Sequence, residues 1–204
     1  MYNSKKRITI VFATTCLFLG TATLFAQNKQ VFNISEAKSV IDETEQSPKE
    51  QLLKTKSCVS CDLSNLVFEK INLEGVNLQG ANLTNSKFKN VNLKNSDFAY
   101  ANFTKAKLSN VDLSSSYLQN INLEKASLQN VNLKGSDLAF SNLTKTKIQN
   151  SDLSQTICDY VNFSKAKLFN VNLDEATAID ATFDKTLTES GFLTDGLTIV
   201  GEIK

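Results

Sequence analysis

The stretch Ala81-Asn82-Leu83-Thr84-Asn85 returns in altered form as Ala101-Asn102-Phe103-Thr104-Lys105 and again as Val171-Asn172-Leu173-Asp174-Glu175. Stepping by five from Leu63 to Phe183 gives 25 unit centres, and all but Cys158 and Ala178 are Leu, Phe or Ile. The residue two positions before each centre is small or β-branched, with Leu66 as the bulky exception. Each unit therefore offers one large and one small apolar side chain, two positions apart.

This spacing excludes an α-helix as the repeating structure. In a helix, centres five residues apart fall about 140° from one another, so they would be smeared around its surface. In extended backbone, positions two apart share a face, so the large and small residues can both point inward. The sequence predicts a repeat protein built from short extended segments.

A longer period of 20 residues appears when the unit centres are sorted into columns. In one column every centre is leucine, and asparagine recurs every 20 residues at a position two residues after the centres of another column. The leucine column is Leu73, Leu93, Leu113, Leu133, Leu153 and Leu173, and the asparagine column is Asn90, Asn110, Asn130, Asn150 and Asn170. Stacking with a repeat of about 4.8 Å suits leucine packing and side-chain amide ladders.

The pattern resembles the pentapeptide-repeat family, whose consensus is Ala-(Asp/Asn)-Leu-X-X, over residues 61 to 183. The resemblance implies an all-β fold, a right-handed quadrilateral parallel β-helix in which four units make one coil. The segment from Lys56 to Ser64 is also similar to secreted, cyanobacterial members of that family. We expect the β-helix to occupy residues 58–185 and a C-terminal cap to occupy residues 186–204.

The N-terminal 26 residues have the layout of a secretory signal peptide. Lys5, Lys6 and Arg7 precede an apolar run that ends before the polar residue Gln27. The alternative is an uncleaved membrane anchor, which the threonines in the run disfavour. Residues 1–26 are predicted to be removed, which implies a periplasmic or extracellular protein without stable membrane insertion. The mature chain then carries 19 basic and 21 acidic residues, so overall charge identifies no partner.

Residues 27–57 are predicted to form a linker and a helical cap, because a solenoid exposes its terminal coils. Ser47-Pro48-Lys49-Glu50 is a capping-box pattern, followed by Leu52 and Leu53 to cover the core. Ser35 to Ile41 could form a second short helix. At the other end, glycines break the repeat around Phe192 and before Val200, which indicates an irregular cap with one short strand.

Cys58 and Cys61 form a Cys-X-X-Cys sequence where the cap would meet the first coil. Such a pair can be a redox couple, half of a zinc site or a small disulfide loop. The chain has no histidine and no second cysteine pair, and export favours a disulfide. Cys158 lies five coils from Cys58, about 24 Å, so we expect it to be a buried, unpaired thiol.

Lysines gather along one edge of the predicted solenoid. Four of them precede the centres of one column, and five occupy the adjoining corner: Lys87, Lys107, Lys147 and Lys167, then Lys105, Lys125, Lys145, Lys165 and Lys185. One interpretation is a solvated face that prevents aggregation. The other is a docking stripe for an anionic partner such as a polysaccharide, an acidic protein or a membrane surface.

Catalytic and cofactor sites are not predicted. Histidine is absent and Arg7 is the only arginine, so the usual general base and the bidentate anion clamp are missing. The recurring carboxylates Asp97 and Asp137, and Asp112 and Asp152, are interpreted as repeat decoration, because a flat wall lacks the pocket that would raise one pKa. No metal site is expected, since no calcium-loop motif is present.

The sequence therefore predicts a non-enzymatic, exported scaffold or protein-interaction module. Its partner is expected to be a protein or an anionic surface polymer, not a nucleic acid. The resemblance also admits a DNA mimic that binds topoisomerase, but such members are strongly acidic, whereas this chain carries a lysine stripe and a signal sequence. An enzyme would need a site in the caps, because the walls are periodic.

Overall fold

The computed structural model describes residues 47–188 and 191–193. The predicted signal peptide, the possible helix over 35–41 and the segment from Leu197 to Val200 lie outside the described residues.

One short helix precedes a stack of parallel strands. Helix α1 covers Pro48–Thr55. The strands are β1 (Val67–Asn72), β2 (Lys87–Asn92), β3 (Lys107–Asp112), β4 (Ser127–Asn132), β5 (Lys147–Asp152), β6 (Lys167–Asn172), β7 (Thr186–Thr188) and β8 (Gly191–Leu193). Strands β1 to β7 pair in parallel in chain order. From β1 to β6 each residue pairs with the one 20 positions later, so the predicted four-sided parallel β-helix and its coil length are confirmed.

Each coil has four sides, and each side is named here by its column of large core residues. Side 1 holds Phe68 and its successors at intervals of 20, side 2 the leucine column from Leu73, side 3 the column from Cys58, and side 4 the column from Leu63. The strands run along side 1 and into side 2. Sides 3 and 4 are joined from coil to coil by single parallel bridges, such as Asn77↔Asp97 and Asn82↔Asn102.

The corners explain how five residues make one side. The residue two positions after each core residue adopts a left-handed backbone conformation, with φ near +60° in examples such as Asn85 and Lys105. That conformation turns the chain between two short extended segments. The large core residues from Leu63 to Phe183 are all buried except Leu173, which is half-buried.

Identical side chains stack along the solenoid as predicted. The rings of Phe68 and Phe88 lie 4.8 Å apart, and those of Phe163 and Phe183 lie 5.0 Å apart. In the asparagine column, Asn110 Nδ2 donates to Asn90 Oδ1 at 2.9 Å, and the same bond joins Asn130 to Asn110. The predicted amide ladder is confirmed in these steps.

Helix α1 covers the N-terminal end of the core. The Ser47 side chain accepts the Glu50 N–H while the Glu50 carboxylate accepts the Ser47 N–H, so the predicted capping box is confirmed. Leu52 is fully buried, but the prediction that Leu53 also covers the core is wrong, because Leu53 is 44% exposed. Consecutive helical residues point about 100° apart, so a single-turn contact buries only one of them.

Two lysines satisfy carbonyls at the free edge of the first coil. Elsewhere, the N–H of a core residue donates to the carbonyl 19 positions later, as from Leu78 to Asp97. By this rule the Val67 carbonyl would accept from residue 48, but that residue is Pro48, which has no backbone N–H. Lys49 Nζ donates to the Val67 carbonyl at 2.8 Å instead, and Lys56 Nζ donates to the Glu74 carbonyl at 3.0 Å.

The C-terminal end is closed differently. Strand β7 pairs with β6 through Lys167↔Leu187 and Leu168↔Thr188. Strand β8 then turns back and pairs antiparallel with β7, which covers an edge that would otherwise recruit another strand. The predicted C-terminal cap was expected to hold one short strand, and its described part holds two, β7 and β8.

Candidate interaction surfaces

The acidic and amide side chains before the core residues belong to the turns. Fifteen of the 25 positions that precede a core residue between Leu63 and Phe183 are Asp or Asn. Each of them accepts, through Oδ1, the N–H of the residue two positions later, as Asp97 does from Ala99 and Asp112 from Ser114. Asp137 and Asp152 accept from Ala139 and Ser154 in the same way. These side chains stabilise the approach to each corner.

Cys58 and Cys158 lie on side 3, and Cys61 is the first residue of side 4. Cys58 and Cys61 are joined by a disulfide, with their Cα atoms 5.4 Å apart. Cys158 is buried and free, as expected, and its Sγ lies 3.3 Å from Thr156 Oγ1. Burial raises the pKa of the Cys158 thiol to about 11, and the Asp159 and Asp137 carboxylates act in the same direction. Within residues 47–188, no three His, Cys, Asp or Glu side chains converge to hold a metal ion.

The lysine stripe is brought together by the fold. Lys87 pairs in register with Lys107, and Lys147 with Lys167, while Ser127 interrupts this row. The other five lysines occupy the corner between sides 4 and 1, each with φ between 53° and 60°. All nine are exposed. The pKa of Glu124 is lowered by a hydrogen bond from the Lys125 side chain and by the positive charges of Lys125, Lys145 and Lys105.

An exposed apolar surface on side 3 was not predicted from the sequence. It contains seven of the nine large hydrophobic side chains that are exposed within the described core and cap: Val59, Tyr100, Tyr117, Phe140, Ile157, Tyr160 and Ile179. Tyr100 is 66% exposed, Tyr117 60% and Phe140 59%. We call these seven residues the apolar wall. Sorting the outward and corner positions by twenties, as was done for the core, would have found it.

Three aromatic members of the apolar wall stand at the corner between sides 3 and 4. Tyr100, Phe140 and Tyr160 all have φ near +60°, a conformation that bulky residues rarely adopt. The rings of Phe140 and Tyr160 are parallel and 4.9 Å apart, so they form a continuous apolar ridge across two coils.

Charge on side 3 is of one sign. Its outward and corner positions carry Asp97, Asp137, Asp159 and Asp180, and between Ser57 and Asp180 they carry no lysine. The apolar wall is therefore set among carboxylates, whereas the lysine stripe lies on side 1 and its corner with side 4.

Among the described residues, the solenoid surface carries a shallow, open depression. This depression of about 450 Å³ lies over the corner between sides 1 and 2, and amide and carboxylate side chains line it: Asn90, Asn92, Asn110, Asp112, Asn130 and Asn132, with Val91 and Val111. Helix α1, the described helix, is too short to cross a membrane.

Comparison with known proteins points to one family. The family described as pentapeptide repeats matches the chain in eight copies, over residues 57–95, 77–114 and 116–155. No curated protein matches the sequence.

Several solved structures are similar. A pentapeptide repeat protein, Rfr23, from the cyanobacterium Cyanothece 51142 is 22% identical, with 67% of this chain and 97% of that chain covered and a TM-score of 0.46. A pentapeptide repeat protein from the Arabidopsis thaliana thylakoid lumen is 25% identical over 54% of this chain and 71% of that one, with a TM-score of 0.39. QnrB1, a plasmid-mediated fluoroquinolone resistance protein, is 14% identical over 69% and 88%, with a TM-score of 0.41.

Proposed function

We propose that this chain, which matches the pentapeptide-repeat family in eight copies, is an exported, non-enzymatic scaffold that binds a partner protein along side 3. The observation that carries the proposal is the apolar wall. Seven of the nine large hydrophobic side chains that are exposed within the described residues lie on this one side, and the rings of Phe140 and Tyr160 stack there. Exposed apolar clusters with polar surroundings mark protein interaction sites, and Tyr and Phe are enriched at their centres.

The backbone around the wall supports a rigid docking surface. The corner aromatics hold a left-handed backbone conformation, which costs roughly 1–3 kcal/mol at each residue. The need for a soluble surface therefore does not explain why bulky aromatic residues occupy these corners. Their own backbone is tied to the next coil, since Tyr100 N donates to the Gln119 carbonyl and Phe140 N to the Asp159 carbonyl. A partner would meet side chains whose backbone is already ordered, which lowers the entropy lost on binding.

Charge defines the chemistry of the partner. Asp97, Asp137 and Asp159 lie among the wall residues. Two copies of the chain facing each other through side 3 would oppose these carboxylates, which disfavours self-association there. The matching surface is a protein segment that combines apolar side chains with lysine or arginine.

Export and the lack of catalysis complete the proposal. The signal-like residues 1–26 and the Cys58–Cys61 disulfide both suit an oxidising compartment. The recurring carboxylates are engaged in turns, so they serve the fold. We place the mature protein in the periplasm or outside the cell.

Site-specific photo-crosslinking tests the binding surface. The photoreactive residue p-benzoylphenylalanine replaces Tyr117 on side 3 or, as a matched control, the exposed Gln129 on side 1. Irradiation of the producing cells is expected to give one discrete protein adduct from position 117 and none from position 129. Ile157→Asp in the same chain should abolish the adduct.

The identified partner is then purified and titrated against the unmodified chain, where Ile157→Asp should weaken binding at least about tenfold. The proposal fails if positions 117 and 129 give the same adducts or if Ile157→Asp leaves the affinity unchanged. An adduct with twice the mass of the chain would show that side 3 binds a second copy of this chain rather than a different protein.

Export is tested separately by fractionation of the producing cell and N-terminal mass analysis. A chain beginning at Gln27 in the exported fraction is expected. An uncleaved chain in the cytoplasm would exclude export while leaving the side 3 experiment to stand by itself.

A further inference from the structure

A double row of positive charge runs along the solenoid axis. The corner row consists of Lys105, Lys125, Lys145, Lys165 and Lys185, and the wall row consists of Lys87, Lys107, Lys147 and Lys167. In three coils the two rows are separated by one buried residue, as Ala106 separates Lys105 from Lys107, so both lysines point outward. Successive coils repeat every 4.8 Å or so, which makes the array dense and linear.

The corner row occupies strained backbone. Asn65 and Asn85 fill the same corner in the first two coils, and asparagine tolerates φ near +60°. From Lys105 onward lysine takes that corner in every coil. Lysine holds this corner without interruption over five coils, so five ammonium groups are aligned at the coil repeat.

Most of this charge is unmatched within the described residues. Lys125 Nζ lies 2.8 Å from Glu124 and Lys185 Nζ lies 4.0 Å from Asp184. The other seven lysines of the two rows have no carboxylate oxygen within 4.0 Å among residues 47–188. An anion along the rows would therefore meet free ammonium groups.

Amide donors lie beside the corner row on side 4. Asn102, Asn122 and Asn162 each use Oδ1 to accept a turn N–H, while their Nδ2 groups have no acceptor among the described residues. The neighbouring positions carry the hydroxyl side chains of Thr104, Thr144 and Ser164, whereas Glu124 and Asp184 occupy the same row beside Lys125 and Lys185. This strip presents hydrogen-bonding groups at the coil repeat, next to the charge.

We propose that the lysine rows and the side 4 amides bind a linear acidic polysaccharide that carries about one carboxylate per sugar and lies along the solenoid axis. The advance of one pyranose unit in an extended chain is close to one coil, so each carboxylate can meet a lysine while sugar hydroxyls meet the amides. The site is separate from the apolar wall and does not depend on it.

Other polyanions fit less well. Single-stranded nucleic acid binds through stacked bases and arginine, but arginine is absent from the described residues, and the outward positions beside the stripe carry one half-buried aromatic, Phe169, and no stacking ladder. An anionic membrane would favour lysines spread over a face, whereas these lie in a narrow line.

Titration of the purified protein with polygalacturonate at low salt tests the proposal, with fully methyl-esterified polygalacturonate as the uncharged control polymer. The triple variant Lys105→Gln, Lys145→Gln and Lys165→Gln should bind at least about tenfold more weakly and show a smaller salt dependence. The matched variant Lys70→Gln, Lys94→Gln and Lys134→Gln removes the same charge from other exposed positions and should change the affinity less than about twofold.

Four results would overturn the proposal. These are no binding of polygalacturonate, equal binding of the esterified polymer, equal loss in both triple variants, and equally tight binding of an oligodeoxynucleotide or of phosphatidylglycerol vesicles. Circular dichroism of each variant establishes that the fold is kept, and failure here would leave the side 3 crosslinking result unaffected.

Discussion

Hydroxyl side chains fill many of the small inward positions, and their hydrogen bonds differ in ways that composition does not reveal. Ser116 Oγ donates to the Leu93 carbonyl at 3.0 Å and accepts the Ser96 N–H at 3.1 Å. Ser136, one coil later on the same side, is equally buried, yet its hydroxyl has no partner within the described residues. A buried polar atom without a partner costs about 1–3 kcal/mol.

These two serines form a matched pair for mutation. Ser136→Ala is expected to stabilise the protein by about 1 kcal/mol, because it removes an unsatisfied hydroxyl. Ser116→Ala should destabilise it by a similar amount, since the Ser96 N–H loses its acceptor. Urea unfolding of both variants measures the difference. If both replacements changed the free energy of unfolding in the same direction, the hydrogen-bond account would be wrong.

Cys158 offers a test of burial. Its thiol is 1% exposed, and its pKa of about 11 keeps it protonated at pH 8. We expect labelling by a thiol reagent at pH 8 to be slow and to accelerate with urea in step with global unfolding, because the thiolate is the reactive form. Cys158→Leu, which matches Leu118 and Leu138 of the two preceding coils, provides the unlabelled control. Rapid labelling of the native protein would show that side 3 opens locally.

At the scale of elements, helix α1 decides how the first coil is closed. Leu52 packs into the core end, while Lys49 and Lys56 supply hydrogen bonds that a preceding coil would have given. The Lys49 ammonium also lies 5.3 Å from the centre of the Phe68 ring. The helix therefore covers both the apolar and the polar groups of the free edge.

Leu52→Ala should lower the free energy of unfolding by about 2–5 kcal/mol, because it opens a cavity at the end of the core. Leu53→Ala, next to it on the exposed face, should change stability by less than about 0.5 kcal/mol. Chemical denaturation of both variants compares the two losses in free energy of unfolding. Equal losses would mean that α1 packs through a different face.

The sequence was sufficient for the core, the coil length, the capping box and the buried Cys158, because each follows from a strict period or a local motif. It was insufficient for Leu53, whose direction depends on the helix rotation, and for Ser136, whose isolation depends on small differences in position. The apolar wall follows the 20-residue period, but its members occupy outward positions that are mostly polar. A single exposed residue such as Tyr117 or Ile157 does not by itself indicate an interaction surface.

At the scale of the whole molecule, each coil touches only its neighbours, so the solenoid should tolerate loss of one complete coil. Removal of residues 107–126 joins Ala106 to Ser127, and every later column stays in place because the deletion equals one coil. Removal of residues 107–124 instead shifts every later core residue by two positions, from the interior to a corner. The two deletions differ by only two residues, so chain length does not distinguish them.

We expect the 20-residue deletion to keep a β-rich circular dichroism spectrum and a cooperative urea transition, with a smaller denaturant slope because less surface is buried. The 18-residue deletion should lose the cooperative transition, since leucine and phenylalanine side chains would face solvent at successive corners. A cooperative transition in both proteins would show that the coils re-register locally, and the 20-residue period would then not be what holds the fold together.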